Sequence, residues 1–217
     1  MPTSRRTTLK AIGATGAGAS LAGCSAPTDR ETERARQTSE QASKKPTADR
    51  VAADPTDIPD TIDRDEPKHH DITLTVEEVR AEVEEGVVYD YMTFDGQVPG
   101  PMIRVREGDT ISFTLKNAPE NAMPHNVDMH AIYGTGGGAE ATTTAPGETA
   151  DERFKVTYPG AYIYHCAVPN MDYHISSGMF GMILVEPKDG LPEVDRELYF
   201  GQHELYTDKA AGEEGHH

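Results

Sequence analysis

Large apolar residues and cations are both scarce in this chain of 217 residues. Hydrophobic residues make up 36%, mean hydropathy is −0.61 and tryptophan is absent. That share is low for a chain packed throughout, so part of it is expected to lie outside any core. Lysine and arginine number 20 against 37 acids, a formal charge of −17. Such a field repels polyanions, which excludes nucleic acid and an anionic membrane surface as partners. Cysteine is limited to Cys24 and Cys166, too few for a disulfide scaffold or an all-cysteine zinc site. No run of about 18 apolar residues occurs, so no segment reads as a spanning helix. The length accommodates one large domain or two small ones. What remains is a soluble acidic protein whose membrane contact is confined to a tether.

The N-terminus contains such a tether. Arg5 and Arg6 lie in a stretch that resembles a twin-arginine export signal. Ala11 to Ala22 follow as a weakly apolar segment too short to cross a bilayer. Leu21 to Cys24 are similar to a lipoprotein cleavage box, with Cys24 as the lipidated residue. Residues 1–24 are therefore expected to be a signal. The protein would be exported and tethered by Cys24 to the outer face of the cytoplasmic membrane or the cell surface. Removing residues 1–23 would take away Arg5, Arg6 and Lys10, and the deeper negative charge fits a surface kept soluble in strong salt. Residues 25–70 are almost devoid of large apolar side chains. They read as a disordered tether spanning on the order of 40 Å. His69 and His70, at its end, read as solvated.

Short β-branched and aromatic runs begin at Ile72. They cover 72–76, 87–91, 102–106, 110–115, 153–157, 161–165 and 179–185, separated by Gly, Pro, Asp and Asn. This pattern predicts an all-β Greek-key sandwich or barrel over 71–190. Gly134 to Gly138 lack the Lys-Ser/Thr and strand–helix context of a phosphate cradle and read as a loop. Residues 197–206 give one more strand-like run, and one strand has neither partner nor core. Either the run adds to the edge of the first domain or it begins something longer, in which case residues 191–217 are a linker and the first strand of a truncated second domain.

Seven residues can carry metal chemistry: His125, Asp128, His130, His165, Cys166, His174 and Met179. Cys166, His174 and Met179 follow one another as C-x7-H-x4-M, with His125 on an earlier strand. Two imidazoles, a thiolate and a thioether suit copper, because sulfur favours Cu(I), imidazole serves both oxidation states and a weak axial Met tunes the potential. Adjacent strand residues face opposite ways, so His165 and Cys166 must diverge. By the same parity His125 faces away from Asp128 and His130 if that segment is extended. The reading is an interior set, His125, Cys166, His174 and Met179, and an outward set, Asp128, His130 and His165. The two share the His165–Cys166 peptide, a short covalent path for an electron.

The segments Pro124 to Ala131, Tyr162 to Val168, His174 to Met179 and Phe94 to Asp109 resemble the copper-containing nitrite reductases. The likeness covers roughly residues 71–207, and the spacing after Cys166 is that of a short-loop branch that includes surface-anchored lipoproteins. Met129 stands where the family commonly has Phe. The resemblance implies a homotrimer of subunits with two cupredoxin domains, reducing nitrite to nitric oxide. His125, Cys166, His174 and Met179 would hold the type 1 copper, fed by a small redox protein. His130 and His165 would hold the type 2 copper, with Asp128 hydrogen-bonding nitrite and delivering protons. In that family the third type 2 imidazole comes from the second domain of a neighbouring subunit. His203, His216 and His217 match no such motif, so the chain is expected to hold a whole type 1 site and half of a type 2 site. The competing reading is a single-domain, membrane-tethered blue-copper electron carrier. A small multicopper oxidase would need His-x-His pairs and a His-Cys-His, whereas the chain has His-x4-His at 125–130 and His-Cys-Ala at 165–167.

Overall fold

Alternation of apolar and polar residues builds two facing sheets. In the computed structural model, residues 50–132 and 136–206 are described. They fall in the compact unit Lys45–His217; the other unit, Met1–Lys44, lies outside the described residues. The signal expected over 1–24, with Cys24, and residues 25–49 of the expected tether are therefore also outside them.

The first sheet has the order β2-β1-β4-β6, formed by β1 (His69–Glu84), β2 (Val87–Phe94), β4 (Thr110–Asn117) and β6 (Thr149–Lys155). The second has the order β3-β8-β7-β5, from β3 (Ile103–Arg106), β8 (Phe180–Glu186), β7 (Gly160–His165) and β5 (Asp128–Met129). β1 runs parallel to β4 and β3 parallel to β8, while the other pairs are antiparallel. In β4, Ile111, Phe113 and Leu115 are buried between half-buried or exposed Ser112, Thr114 and Lys116. With Leu74 and Val76 of β1 they face Val105, Tyr164, Ile183 and Val185 of the other sheet in one core. Each such side chain contributes roughly 1.5–3 kcal/mol by leaving water. Cys166 and Met179 belong to the same cluster, so one end of the apolar core is also where the donor atoms lie. This is the expected all-β sandwich.

Three expectations need correction. Residues 50–70 are not a free tether: Val51 is buried, Ala52 bridges Val98 and the Pro59 carbonyl accepts from Arg104. Arg64 and His70 both reach the buried Asp109 carboxylate, which also accepts from the N–H groups of Lys68 and Arg106. His69 and His70 therefore belong to β1, paired with Thr110 and Ile111 of β4. Residues 197–206 form no strand. Their backbone meets the 50s instead, with Tyr199 N–H donating to the Pro55 carbonyl at 3.0 Å and Glu197 pairing with Arg104. His203 is correspondingly no strand residue; its ring lies on Phe180.

Candidate metal centre

Each inner donor comes from a different segment, and each segment is tied to another by main-chain bonds. His125 exchanges two backbone hydrogen bonds with Thr144, at 3.0 and 2.9 Å. Cys166 follows the end of β7, and its N–H continues the ladder to the Met179 carbonyl at 3.2 Å. His174 sits in the last turn of a six-residue helix, α1 (Met171–Ser176), and its carbonyl accepts from Met179 N–H at 3.1 Å. The chain reverses at Gly178, with φ +117, where a Cβ would stand 2.6 Å from Val98 Cγ2. Only glycine fits there.

The result is a closed cluster. His125, Cys166, His174 and Met179 are each 0% exposed. The Nδ1 atoms of His125 and His174 are 3.2 Å apart, and Cys166 Sγ lies 3.9 and 3.6 Å from them. Donor bonds of roughly 2.0–2.3 Å to one centre give a triangle of about this size. Asn126 binds together the segments that carry His125 and Cys166, its Oδ1 accepting from Ala167 N–H at 2.7 Å and lying 3.7 Å from Cys166 Sγ.

Burial sets the protonation of these groups. It pushes the Cys166 thiol up, despite nearby N–H groups that favour the thiolate. Burial, with His125 alongside, brings His174 down to about 4, so at neutral pH its imidazole is uncharged. Its Nε2 is buried with no hydrogen bond among the described residues. His125 Nε2 instead donates to Glu78 Oε1 at 3.0 Å. Burial disfavours ionising Glu78. Bonds from His125, Ala122 N–H and Met123 N–H outweigh it and hold the carboxyl below its usual range.

The second cluster lies on the opposite faces of the same segments. Asp128, His130 and His165 bring their donor atoms within 4.8 Å of one another. Asp128 pairs with His165 across β5 and β7, and His130 N–H donates to the Ile163 carbonyl one step further on. The two Nε2 atoms are 3.1 Å apart. His165 Nδ1 lies 3.0 Å from the carbonyl of Cys166; donating there, it leaves Nε2 with the free lone pair. Exposure falls from His130, which is open, through Asp128 to buried His165. Gly137 backs this cluster, its carbonyl accepting from Met129 N–H at 2.9 Å.

Six of the seven residues thus bring their donor atoms together in two groups, His125, Cys166 and His174 inside and Asp128, His130 and His165 outside, although only Asp128 and Met129 of the 125–130 segment are strand. Met179 adjoins the inner group through its backbone and its burial. Glu78, Asn126 and Gly137 were not foreseen. For Glu78 a signal exists: Leu74 and Val76 point inward, so the next alternate residue, a carboxylate, points inward too.

A β-sandwich with two imidazoles and a thiol closed into one end of its core, and an imidazole pair on the reverse of the same strands, defines a cupredoxin-type metal protein. The sequence profile of the multicopper oxidases matches residues 75–190, and the chain belongs to that family. The copper-containing nitrite reductase of Neisseria meningitidis serogroup B is 51% identical over 170 residues, covering 78% of this chain and 44% of that protein. The copper-containing nitrite reductase of Cereibacter sphaeroides is 41% identical over 152 residues, 66% of this chain and 41% of that one. Among solved structures, the copper nitrite reductase of Nitrosomonas europaea superposes with a TM-score of 0.55 at 40% identity, covering 59% of this chain and 46% of the other. The chain spans less than half the length of these relatives.

Proposed function

We propose that this chain carries the electron-accepting centre, and part of the catalytic centre, of a copper-dependent nitrite reductase that forms nitric oxide. The supporting observation is adjacency: consecutive residues, Cys166 and His165, belong to two separate donor clusters. A hydrogen bond from the His165 ring to the Cys166 carbonyl adds a second link. The nitrite reductases among the relatives support the substrate.

The donor chemistry fits copper, with thiolate and imidazole inside and imidazole and carboxylate outside. Bound there, copper would supply a one-electron carrier at the inner cluster and a Lewis-acidic seat for nitrite at the outer one. His125, Cys166, His174 and Met179 would hold the type 1 ion, and His130 and His165 the type 2 ion. The reaction takes one electron and two protons per nitrite, giving nitric oxide and water. Asp128, half-buried beside the two imidazoles, would hydrogen-bond the substrate and hold a proton for the departing oxygen. The outer cluster has two imidazoles, so a third ligand comes from elsewhere, in this reading from a neighbouring copy in a homotrimer. Export, a lipid on Cys24 and a small redox protein as donor complete the proposal and rest on the sequence patterns.

The full chain, loaded with copper without oxygen, tests it. A strong visible band lost in Cys166→Ala, and a second copper resonance that shifts on adding nitrite, are expected. A single resonance indifferent to nitrite would replace the enzyme by the electron carrier. Absence of the band would remove both. Nitric oxide evolved by this chain alone would mean that residues 1–217 complete the outer site themselves.

A further inference from the structure

An acidic side chain on β1, Glu78, reaches the inner cluster from far away in sequence. Glu78 has four contacts with the segment that delivers His125. Its carboxylate accepts from Ala122 N–H, Met123 N–H and His125 Nε2, each at 3.0 Å, and its own N–H donates to Asn121 Oδ1 at 2.8 Å. Its side chain is 22% exposed and that of His125 is 0% exposed. The carboxylate is therefore held in place from three sides and only partly screened by water.

The two inner imidazoles differ at their outward nitrogens. Both turn Nδ1 toward Cys166 Sγ. His125 Nε2 meets a carboxylate, while His174 Nε2 is buried with no hydrogen bond among the described residues. A proton on His125 Nε2 satisfies Glu78 and leaves the Nδ1 lone pair facing the cluster. A carboxylate accepting from the far nitrogen also makes an imidazole a stronger donor, and its negative charge favours the more positive state of a nearby ion.

We propose that Glu78 is a positioning residue for the inner centre: it sets the His125 tautomer, strengthens His125 as a ligand and biases the bound copper toward the cupric state. This rests on the copper reading above. Asn121 provides the contrast needed to separate tuning from loop support. It anchors the same loop through Val76, Asn117 and the Glu78 N–H but leaves the Glu78 carboxylate alone and has no hydrogen bond to His125 among the described residues.

The experiment compares Glu78→Gln, Glu78→Ala and Asn121→Ala in the full copper-loaded chain, by spectroelectrochemical titration, competition for Cu(II) and thermal melting of the metal-free forms. Glu78→Gln is expected to raise the midpoint potential; a tenfold loss of preference for Cu(II) over Cu(I) reads as about 59 mV for one electron. Glu78→Ala is expected to weaken Cu(II) binding about 10–100-fold. Asn121→Ala should lower the melting temperature and leave the potential in place. Unchanged potential and affinity in both Glu78 variants would overturn the proposal, and so would an Asn121→Ala shift as large as that of Glu78→Gln. If the unsubstituted chain shows no thiolate–copper band, the copper reading itself falls; a band that persists without any Glu78 effect sinks only this inference.

Discussion

Gly137→Ala should damage the outer cluster and leave the inner one intact. Gly137 has φ +42, and a Cβ on it would stand 2.1 Å from Asp128 Oδ1, 2.6 Å from Met129 O and 2.7 Å from Met129 N. The Asp128 carboxylate can swing away, which removes it from His130 and His165. The Met129 backbone cannot move without breaking its 2.9 Å bond to the Gly137 carbonyl. An L-residue in the left-handed region costs about 1–2 kcal/mol, and a lost neutral hydrogen bond about 1 kcal/mol. The sum, roughly 2–3 kcal/mol, corresponds in a chain of this size to a fall in Tm of roughly 4–12 °C. The assay is thermal melting of the metal-free protein, followed by copper loading with the visible band and the nitrite-induced resonance shift as separate readouts. The expected outcome is a lowered Tm, a retained band and a weakened nitrite response. A melt within about 1 °C of the parent, well below that shift, with the nitrite response unaltered, would refute the steric argument.

His130→Ala should spare the visible band and abolish the nitrite-induced shift, because His130 touches the outer cluster only; an unchanged shift would remove it from that site. Asp109→Asn tests the clamp on residues 50–70. Burial raises the Asp109 carboxyl, but bonds from Arg64, Lys68 N–H, Arg106 N–H and His70 outweigh it and hold the carboxyl far below the usual carboxylate range. A depressed carboxyl stabilises the fold above its unfolded value near 3.9 and loses that contribution as pH falls toward the folded value. Asn should therefore cost about 3 kcal/mol at pH 7, and the gap in Tm between variant and parent should close progressively below pH 4; a gap independent of pH would sink the assignment.

The strands were legible because their signal is local. Ile111, Phe113 and Leu115 alternate with polar residues whatever the rest of the chain does, and the ladder follows. The division of seven donors into two sets was legible for the same reason, since parity at His165–Cys166 needs only two neighbours. Contacts between distant segments were not. Val51 is a single large apolar side chain among small and polar neighbours, and its burial follows from packing in one cluster with Val98. Arg64 looks like any linker cation until Asp109, 45 positions away, accepts from it. Residues 197–206 carry a strand-like composition, but among the described residues no strand pairs with them, and composition cannot supply a partner. Gly137 was readable as a loop glycine; that it presses on Asp128 depends on a fold-back that no short motif encodes.

The two clusters differ in how firmly the fold holds them, and that difference bears on how they fail. The inner donors form a closed circuit of bonds: Cys166 to Met179, Met179 to His174, and Asn126 to Ala167 beside His125. Glu78 and Asn117 brace the His125 loop from the first sheet. Every inner donor residue is fully buried, so a disturbance must open the core to reach it. The outer cluster hangs on β5, a strand of two residues at a sheet edge, held by β7 on one side and by the glycine loop on the other. His130 is exposed, and among the described residues its one side-chain bond is that to His165. Short edge strands are the parts of a sheet that open first. Mild denaturant should therefore remove the nitrite response before it removes the thiolate–copper band. Simultaneous loss of both would show that β5 is as firmly held as the core it borders.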